Sequence, residues 1–281
     1  MIRIITDSTS DISKQRQKEL GIDVMPLRVN FGTDVYRDGI DITNKEFYEK
    51  LSVAAQLPTT SQINPYELSV LFQKYIDAGD EIVAIFISSH LSGTYQSAIT
   101  AKEMVSSKDI HIIDSYNVTL ALALLVEEAV KLRDLGLSAK QITKKIKDII
   151  SHIKLIALVN SLKYLKLGGR ISAGTAIVGN MLGIRPIVTV TNGKVQMIGK
   201  ARGKKMAFRF MLNRILKDGI NYEYPAYFGH ANSPEALTEC MNYFAPYFKG
   251  IHILTSNIGS VVGTYTGEGA VGLAYIAENK M

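Results

Sequence analysis

The sequence predicts a two-domain α/β protein, with an open, mostly parallel sheet in the first domain and a smaller α/β domain after it. Short β-rich runs alternate with helical patterns through the first half, which is typical of a parallel sheet with flanking helices. In the second half, Asn192-Gly193 separates two β-rich runs, and this dipeptide is a strong hairpin signal. A length of 281 residues, 47% of them hydrophobic, suffices for two packed cores.

The elements of the first half follow from hydrophobic periodicity and capping residues. Thr43 to Glu46 forms a capping-box pattern, and Asn64-Pro65 supplies a cap and a first-turn proline for the next helix. In chain order we predict strand Ile2–Ile5, helices after Thr43 and Asn64, strand Ile82–Ile87, helix Ala98–Val105, strand Ile110–Ile113, and helices Val118–Leu135 and Ser138–Ser151.

The second half changes pattern near His152, so we predict domains of residues 1–152 and 153–281. Its hairpin strands are followed by alternating helical and β-rich runs, which complete a smaller α/β unit. The predicted elements are strands Arg185–Thr191 and Lys194–Ile198, helix Lys204–Lys217, strand Tyr224–Gly229, helix Pro234–Phe248 and strand Ile251–Leu254.

Composition excludes several classes of protein. The apolar runs are far shorter than the roughly 18–20 residues of a membrane span, and the start of the chain lacks the features of a secretory signal, so a cytoplasmic protein is expected. The single cysteine, Cys240, excludes an internal disulfide and a cysteine-rich zinc cluster. The net charge of +6 is dispersed, and the densest basic stretch, Lys200–Lys205, contains no aromatic residue. A DNA-binding regulator is therefore disfavoured.

Small hydroxyl residues follow several predicted strands, at the edge of a parallel sheet where ligands bind. Neutral hydroxyls beside free backbone N–H groups at helix starts suit a carboxylate or phosphate oxygen. The alternative is that these residues only cap helices and shape turns. The segments concerned are Asp7 to Ser10, Thr59 to Gln62, Ser88 to Thr94 and Asp114-Ser115.

Familiar catalytic motifs are absent from the sequence: it has no Gly-x-Ser-x-Gly elbow, Walker A sequence or His-Glu-x-x-His pair. Its five histidines lack metal-ligand spacing, so we predict no metal site and no catalytic residue. One alternative remains, a serine-dependent hydrolase or phosphotransferase for a small acyl or phosphate substrate. It would use Ser92 with His90 or His230 as the base.

Gly168-Gly169-Arg170 is a second informative segment. The two glycines allow a tight turn that presents the guanidinium of Arg170. An arginine placed in this way can neutralise an anionic head group or bind an acidic partner. The alternative is a helix C-terminus followed by a surface arginine.

Together these segments resemble the DegV family of fatty-acid-binding proteins, which serve a bacterial fatty acid kinase. Each motif is weak alone, but their order and spacing over nearly the whole chain are specific. The matching segments are Asp7 to Asp11, Thr60-Ser61-Gln62, Ser89 to Ala98, Gly168 to Ile171 and Gly259 to Gly272.

The resemblance implies a carrier without enzyme activity of its own, which holds a long-chain fatty acid such as palmitate between the two domains and needs no cofactor. The partner kinase would phosphorylate the carboxylate, and transient contact with a membrane surface fits such a carrier. Arg170 and Arg202, in the Arg-Gly segment, would lie toward the head group and the surface that faces the kinase. The implied carboxylate site comprises Thr60, Ser61, Ser92, Gly93, Thr94 and Tyr265.

The chain departs from the family at its last motif. The family's His-Thr-Gly-Pro-Gly, whose histidine also binds the carboxylate, reads Tyr265-Thr266-Gly267-Glu268-Gly269 here. A tyrosine hydroxyl can donate a hydrogen bond but gains no charge near neutral pH. The sequence therefore predicts that the head group is held differently, or that the ligand or its delivery to the kinase differs.

Overall fold

The computed structural model describes residues 1–171 and 183–278. Within the predicted second domain, residues 172–182 and 279–281 lie outside this description. The helices are α1 (Lys14–Leu20), α2 (Asn44–Val53), α3 (Pro65–Asp77), α4 (Thr94–Val105), α5 (Thr119–Asp134), α6 (Ala139–Ile150), α7 (Lys163–Leu167), α8 (Lys204–Asp218), α9 (Pro234–Phe244) and α10 (Ser260–Thr266). The strands are β1 (Ile2–Asp7), β2 (Asp23–Met25), β3 (Arg28–Phe31), β4 (Asp34–Arg37), β5 (Thr59–Ser61), β6 (Glu81–Phe86), β7 (Ile110–Asp114), β8 (Ile153–Leu158), β9 (Ile184–Thr191), β10 (Lys194–Arg202), β11 (Ala226–His230), β12 (Ile253–Asn257) and β13 (Val271–Ile276).

The first half forms a parallel sheet in the order β2-β1-β6-β7. Ile4 lies opposite Val83, and Ile85 lies opposite Ile113, so the centre of the sheet is a continuous apolar layer. A small antiparallel sheet, β4-β3-β5, lies beside it and was not predicted. Its strands are only three or four residues long, too short for an alternating pattern to stand out.

The second half forms a mixed sheet in the order β10-β9-β8-β13-β11-β12, in which β11 and β12 run parallel. The hairpin at Asn192-Gly193 is confirmed, since Thr191 pairs with Lys194 and both turn residues have positive φ. The sheet exceeds the prediction because β8 and β13, which pair with each other in its centre, were missed. Both strands are apolar almost throughout, and β13 is fully buried, so neither shows a polar–apolar alternation. The predicted α/β class is confirmed, whereas the domain boundary near His152 stays a prediction.

Several boundaries differ from the prediction. Helix α4 begins at Thr94 instead of Ala98, because its first turn carries polar residues that give no apolar stripe. The predicted helix at Pro234–Phe248 ends at Phe244 and continues as a 3₁₀ turn that contains Pro246. Strand β12 begins two residues later than predicted, at Ile253.

Helix α5 lies between the two large sheets. Thirteen of its 16 residues are buried, so it lacks an ordinary solvent-facing stripe. It contacts β1 and β6 on one side and β8, β11 and β13 on the other. Its Glu127 accepts two hydrogen bonds from Arg16, at 2.9 and 2.7 Å, and one from Tyr227 at 2.9 Å. This carboxylate joins the two halves of the chain through one buried helix.

Two absences concern only the ranges 1–171 and 183–278. No helix there is both long enough and apolar enough to cross a lipid bilayer. No cluster of three or more His, Cys, Asp or Glu side chains there is arranged to hold a metal ion.

The hairpin of the second sheet contacts the first half of the chain. Ser88 Oγ, after β6, donates to the carbonyl of Gly193 at 2.9 Å. A Cβ on Gly193 would lie 2.5 Å from Ser88 Oγ and 2.7 Å from the ring of His90. Gly193 therefore allows the left-handed backbone of the turn and the close approach of the two halves of the chain.

We expect Gly193→Ala to lower the free energy of unfolding by about 2–4 kcal/mol, about 1–2 from the left-handed backbone and the rest from crowding. Gly32→Ala is the matched control, because Gly32 also has positive φ but has open space around it. That control should lose only the backbone part. Equal losses in urea unfolding would contradict the contact.

Candidate functional site

A narrow cavity lies between the two halves of the protein. The space between its surrounding atoms, including its mouth, totals about 930 Å³. Helix α5 contributes Leu120, and the second sheet contributes Gly229 and Gly272, where a Cβ would lie 2.6 Å from Leu120 and from the carbonyl oxygen of Ile156, respectively. Most of the lining is aliphatic: Leu27, Ile87, Leu91, Val118, Leu155, Ala157, Val159, Leu165, Val188, Val190, Val195, Ile258, Val261, Val262, Ala270 and Val271. Such a lining suits an alkyl chain.

Polar groups gather at one end of this cavity. Thr60 Oγ1 and Tyr265 Oη are 2.6 Å apart, and both residues line the space with Ser92. The guanidinium of Arg170 donates to the carbonyl oxygens of Leu91, at 3.3 Å, and Gly168, at 2.7 Å. Its Cζ lies 5.0 Å from the centre of the Tyr265 ring. We call Thr60, Ser92, Arg170 and Tyr265 the polar cluster.

The polar cluster retains hydrogen-bonding capacity for an anion. Thr60 and Tyr265 have two hydroxyl protons, and the bond between them uses one, so one O–H remains to donate. The guanidinium of Arg170 has five N–H donors, two of which bind the carbonyl groups. The other hydroxyls of the lining are engaged, because Thr119, Thr189 and Thr266 donate to a carboxylate or carbonyl oxygen.

Each member of the polar cluster is positioned by a separate element. Thr60 is on β5 and pairs with Val29 of β3. Ser92 precedes α4, and its Oγ accepts from the backbone N–H of Thr94 at 3.3 Å. Helix α7 ends at Gly168, which packs against the ring of Tyr265. A Cβ on Gly168 would lie 2.4 Å from that ring.

Helix α10, which carries Tyr265, is held by two buried carboxyl groups. Asp11 accepts from the Gly259 N–H at 2.8 Å and from the Thr119 hydroxyl at 2.6 Å. Asp38 accepts from Ser260 through its N–H, at 3.0 Å, and its hydroxyl, at 2.6 Å. Burial raises the pKa of both carboxyl groups, that of Asp11 well above its usual range. Sequence analysis missed these roles; Asp11 lay in a quoted motif, but Asp38 had no motif to mark it.

Four predicted site residues lie outside the cavity lining. Ser61 faces Asn30, whose amide donates to its Oγ at 3.4 Å. Gly93 packs against Gln62, since a Cβ there would overlap the amide of that side chain. Thr94 is buried behind Ser92, with its Oγ1 3.0 Å from Ser92 Oγ. The fourth, Arg202, is exposed at the end of the edge strand β10.

The hydroxyl-rich strand ends do not all meet at the cavity. The turn after β1 is a cap, because Asp7 accepts from the N–H of Thr9 at 2.9 Å and from that of Ile87 at 2.7 Å. Asp114 likewise accepts from the N–H groups of Ser89 and Tyr116. The capping interpretation is therefore correct for these two strand ends.

A serine–histidine pair is not formed among the contacts of the described residues. Ser92 Oγ interacts with Thr94, and His90 packs at 6.1 Å, centre to centre, from the ring of Tyr116. His230 Nδ1 accepts from the N–H of Ser233 at 2.9 Å. The geometry gives no support to the hydrolase alternative.

Glu268, the other departure in the last motif, points away from the polar cluster. Its side chain is exposed and accepts from the amide of Asn232 at 2.6 Å. Its backbone carbonyl accepts from Asn160 at 2.9 Å. The added carboxylate is therefore part of a surface contact.

A family model described as "Uncharacterised protein, DegV family" matches residues 1–278. The chain belongs to the DegV family. A DegV domain-containing protein of Caldanaerobacter subterraneus is 35% identical over 275 residues, which cover 98% of each chain. The resemblance to the family stated from the motifs is confirmed.

Solved structures of DegV proteins share the fold over nearly their whole length. One is a DegV family protein of Thermus thermophilus, described for its fatty acid binding, with a TM-score of 0.90 and 28% identity. Another is DegV of Bacillus subtilis, described as a fatty acid binding protein, with a TM-score of 0.86 and 30% identity. Each match covers 99% of both chains.

The buried Asp7 gives the stability of this protein a testable pH dependence, and its carboxylate binds the backbone N–H of Ile87, a residue that lines the cavity. Burial raises its pKa from 3.8 to about 6, against hydrogen bonds from Thr9 and Ile87 that lower it. The folded state then binds the proton more tightly than the unfolded state, so stability falls as pH rises from about 4 to 6.

We expect wild type to be more stable, relative to Asp7→Asn, at pH 4 than at pH 7. Between these pH values, the difference in the free energy of unfolding between the two proteins should fall by up to roughly 3 kcal/mol. Urea unfolding of both proteins across this range measures it. A difference that is constant, or that grows with pH, would show that Asp7 does not titrate in this way.

Proposed function

We propose that this chain binds a long-chain fatty acid in the cavity and presents its carboxylate to a partner fatty acid kinase. The observation that carries the proposal is the pairing of an aliphatic cavity with a polar cluster at one end. The fatty acid binding described for the relatives from Thermus and Bacillus supports it. The protein is then a lipid carrier without cofactor, and the expected location is the cytoplasm.

The tail would supply most of the affinity. Burial contributes about 0.8 kcal/mol per CH₂, so a palmitate tail of roughly 15 carbons gives on the order of 12 kcal/mol before association costs. The carboxylate would accept hydrogen bonds from Thr60, Ser92 and Tyr265, with Arg170 as the nearby positive charge. The hydroxyl of Tyr265 takes the place of the family's histidine in this arrangement.

Neutral hydroxyl donors leave the carboxylate reactive. A lysine in direct contact would hold the negative charge tightly, whereas hydroxyls orient it and leave an oxygen lone pair available. In the proposed transfer, a carboxylate oxygen attacks the γ-phosphorus of ATP bound to the kinase, and the bond to the β,γ-bridging oxygen breaks. The products are an acyl phosphate and ADP.

Replacing Thr60 and Ser92 with alanine should weaken fatty acid binding at least about 100-fold, since hydrogen bonds to charged groups contribute about 1.5–3 kcal/mol each. Denaturing extraction and lipid mass spectrometry of the purified protein measure the bound acid. Wild type should carry close to one fatty acid per chain, and Thr60→Ala/Ser92→Ala much less.

The matched control for this experiment is Ser61→Ala, a neighbouring hydroxyl that faces Asn30. This variant should keep its fatty acid. Purified wild-type protein that contains no fatty acid and takes up no added palmitate would overturn the proposed function.

The kinase step predicts a surface effect that is separate from binding. Arg202→Glu, at the exposed end of β10, should lower kcat/KM for acyl phosphate formation with the kinase at least about tenfold and leave the fatty acid content unchanged. Lys249→Glu makes the same charge change near β12, at the opposite edge of the sheet. An equal loss in both variants would argue against a kinase surface at Arg202.

A further inference from the structure

The end of the cavity remote from Tyr265 borders a second space, an open cleft that His90, two residues before Ser92, also lines. Three residues line both spaces, Leu155 of β8 and Thr189 and Val190 of β9, and we call them the partition. The cleft lies where β8 begins and β9 ends. One layer of residues therefore separates the cavity from the outside at this end.

The direction of β8 shows that the partition is far from Tyr265. Leu155, Ala157 and Val159 line the cavity at every second position, as expected for one face of a strand. The Val159 end is near the polar cluster, because the next residue, Asn160, binds the backbone of Glu268, three residues after Tyr265. Leu155 lies four residues farther back, or about 13 Å along the strand.

Strand β9 extends this wall of the cavity. Val188, Thr189 and Val190 all line the cavity, and Val190 pairs with Val195 of β10, which also lines it. Thr189 donates from its Oγ1 to the carbonyl of Leu155 at 2.6 Å. This hydrogen bond fixes the two strands to each other at the partition.

The cleft beyond the partition would not favour an alkyl chain. Its lining includes the charged side chains of Lys147, Lys154, Arg214 and Asp218. Arg214 and Asp218 form an ion pair at 3.1 Å, and Tyr275 Oη donates to Asp218 at 3.3 Å. Methylene groups that entered this space would stay in contact with water and polar groups and gain little free energy.

We propose that Leu155 and Val190, joined through Thr189, set the longest acyl chain that the cavity accepts. This inference rests on the proposed function and adds its chain-length specificity. Leu155→Ala replaces side-chain volume at the partition with space inside the cavity that a longer tail can fill, whereas Val190→Leu shortens the cavity at the same end. The two substitutions shift the preference in opposite directions.

The test is a competition between palmitic and stearic acids, supplied in equal amounts to delipidated protein and counted by mass spectrometry after extraction. Two buried methylene groups correspond to about 15-fold in relative affinity. Leu155→Ala is expected to raise the ratio of stearic to palmitic acid by up to this factor, and Val190→Leu to lower it. Leu155→Val is the smaller opening if the alanine variant unfolds.

Ile198→Ala is the matched control, because Ile198 lines the cleft but not the cavity, and it should leave the ratio unchanged. Opposite shifts in the two partition variants, with an unchanged control, support the inference. Bound acid with the same ratio in every variant overturns it and leaves the proposed function standing. A wild-type protein that binds neither acid overturns the proposed function itself.

Discussion

The burial of helix α5 between two sheets is the constraint on which the rest of the structure depends. A helix with 13 of 16 residues buried must be covered on both sides, so the parallel sheet and the mixed sheet pack against opposite sides of α5. Glu127 then binds Arg16 from one side and Tyr227 from the other. Gly229, where a Cβ would lie 2.6 Å from Leu120, allows this helix to approach the second sheet, and the cavity lies beside that contact.

The polar cluster is assembled from both halves of the chain. Thr60 and Ser92 come from the first half, Arg170 and Tyr265 from the second, and a hydrogen bond of 2.6 Å between Thr60 and Tyr265 crosses between them. The position of Tyr265 depends on buried carboxyl groups of the first half that hold the start of α10. Relative movement of the two halves would therefore separate the hydroxyl groups proposed to bind a carboxylate.

Sequence reasoning predicted those parts of the fold that have local signals. The capping box at Thr43 and the hairpin at Asn192-Gly193 are present because side-chain and backbone geometry over a few residues determines them. Strands β8 and β13 and the small sheet were missed, since strands that are apolar almost throughout and very short strands lack an alternating pattern.

Some residues of the candidate site could be identified from sequence motifs, and others could not. The motifs identified Thr60, Ser92, Arg170 and Tyr265, and the structure brings these four together at the cavity. The same motifs included Ser61. Adjacent residues of a strand face opposite sides, and the sequence does not show which of Thr60 and Ser61 faces the cavity. The partition at Leu155 and Val190 had no sequence signal, since it arises where two strands that are distant in the chain meet.

The tyrosine at position 265 changes the chemistry of the proposed head-group site without removing a donor from it. A histidine would offer a ring N–H, whereas the tyrosine offers a hydroxyl whose oxygen lies 2.6 Å from Thr60 Oγ1. In the proposed site, the charge opposite a bound carboxylate then comes from the guanidinium of Arg170.

A crystal structure of the protein with palmitate tests the central claim most directly. The account predicts one extended acyl chain in the cavity, with a carboxylate oxygen within about 2.5–3.2 Å of hydroxyls of Thr60, Ser92 or Tyr265 and the terminal methyl toward Leu155 and Val190. An acid bound in the reverse direction, with its carboxylate at the partition, or a cavity that stays empty at saturating palmitate, would contradict it.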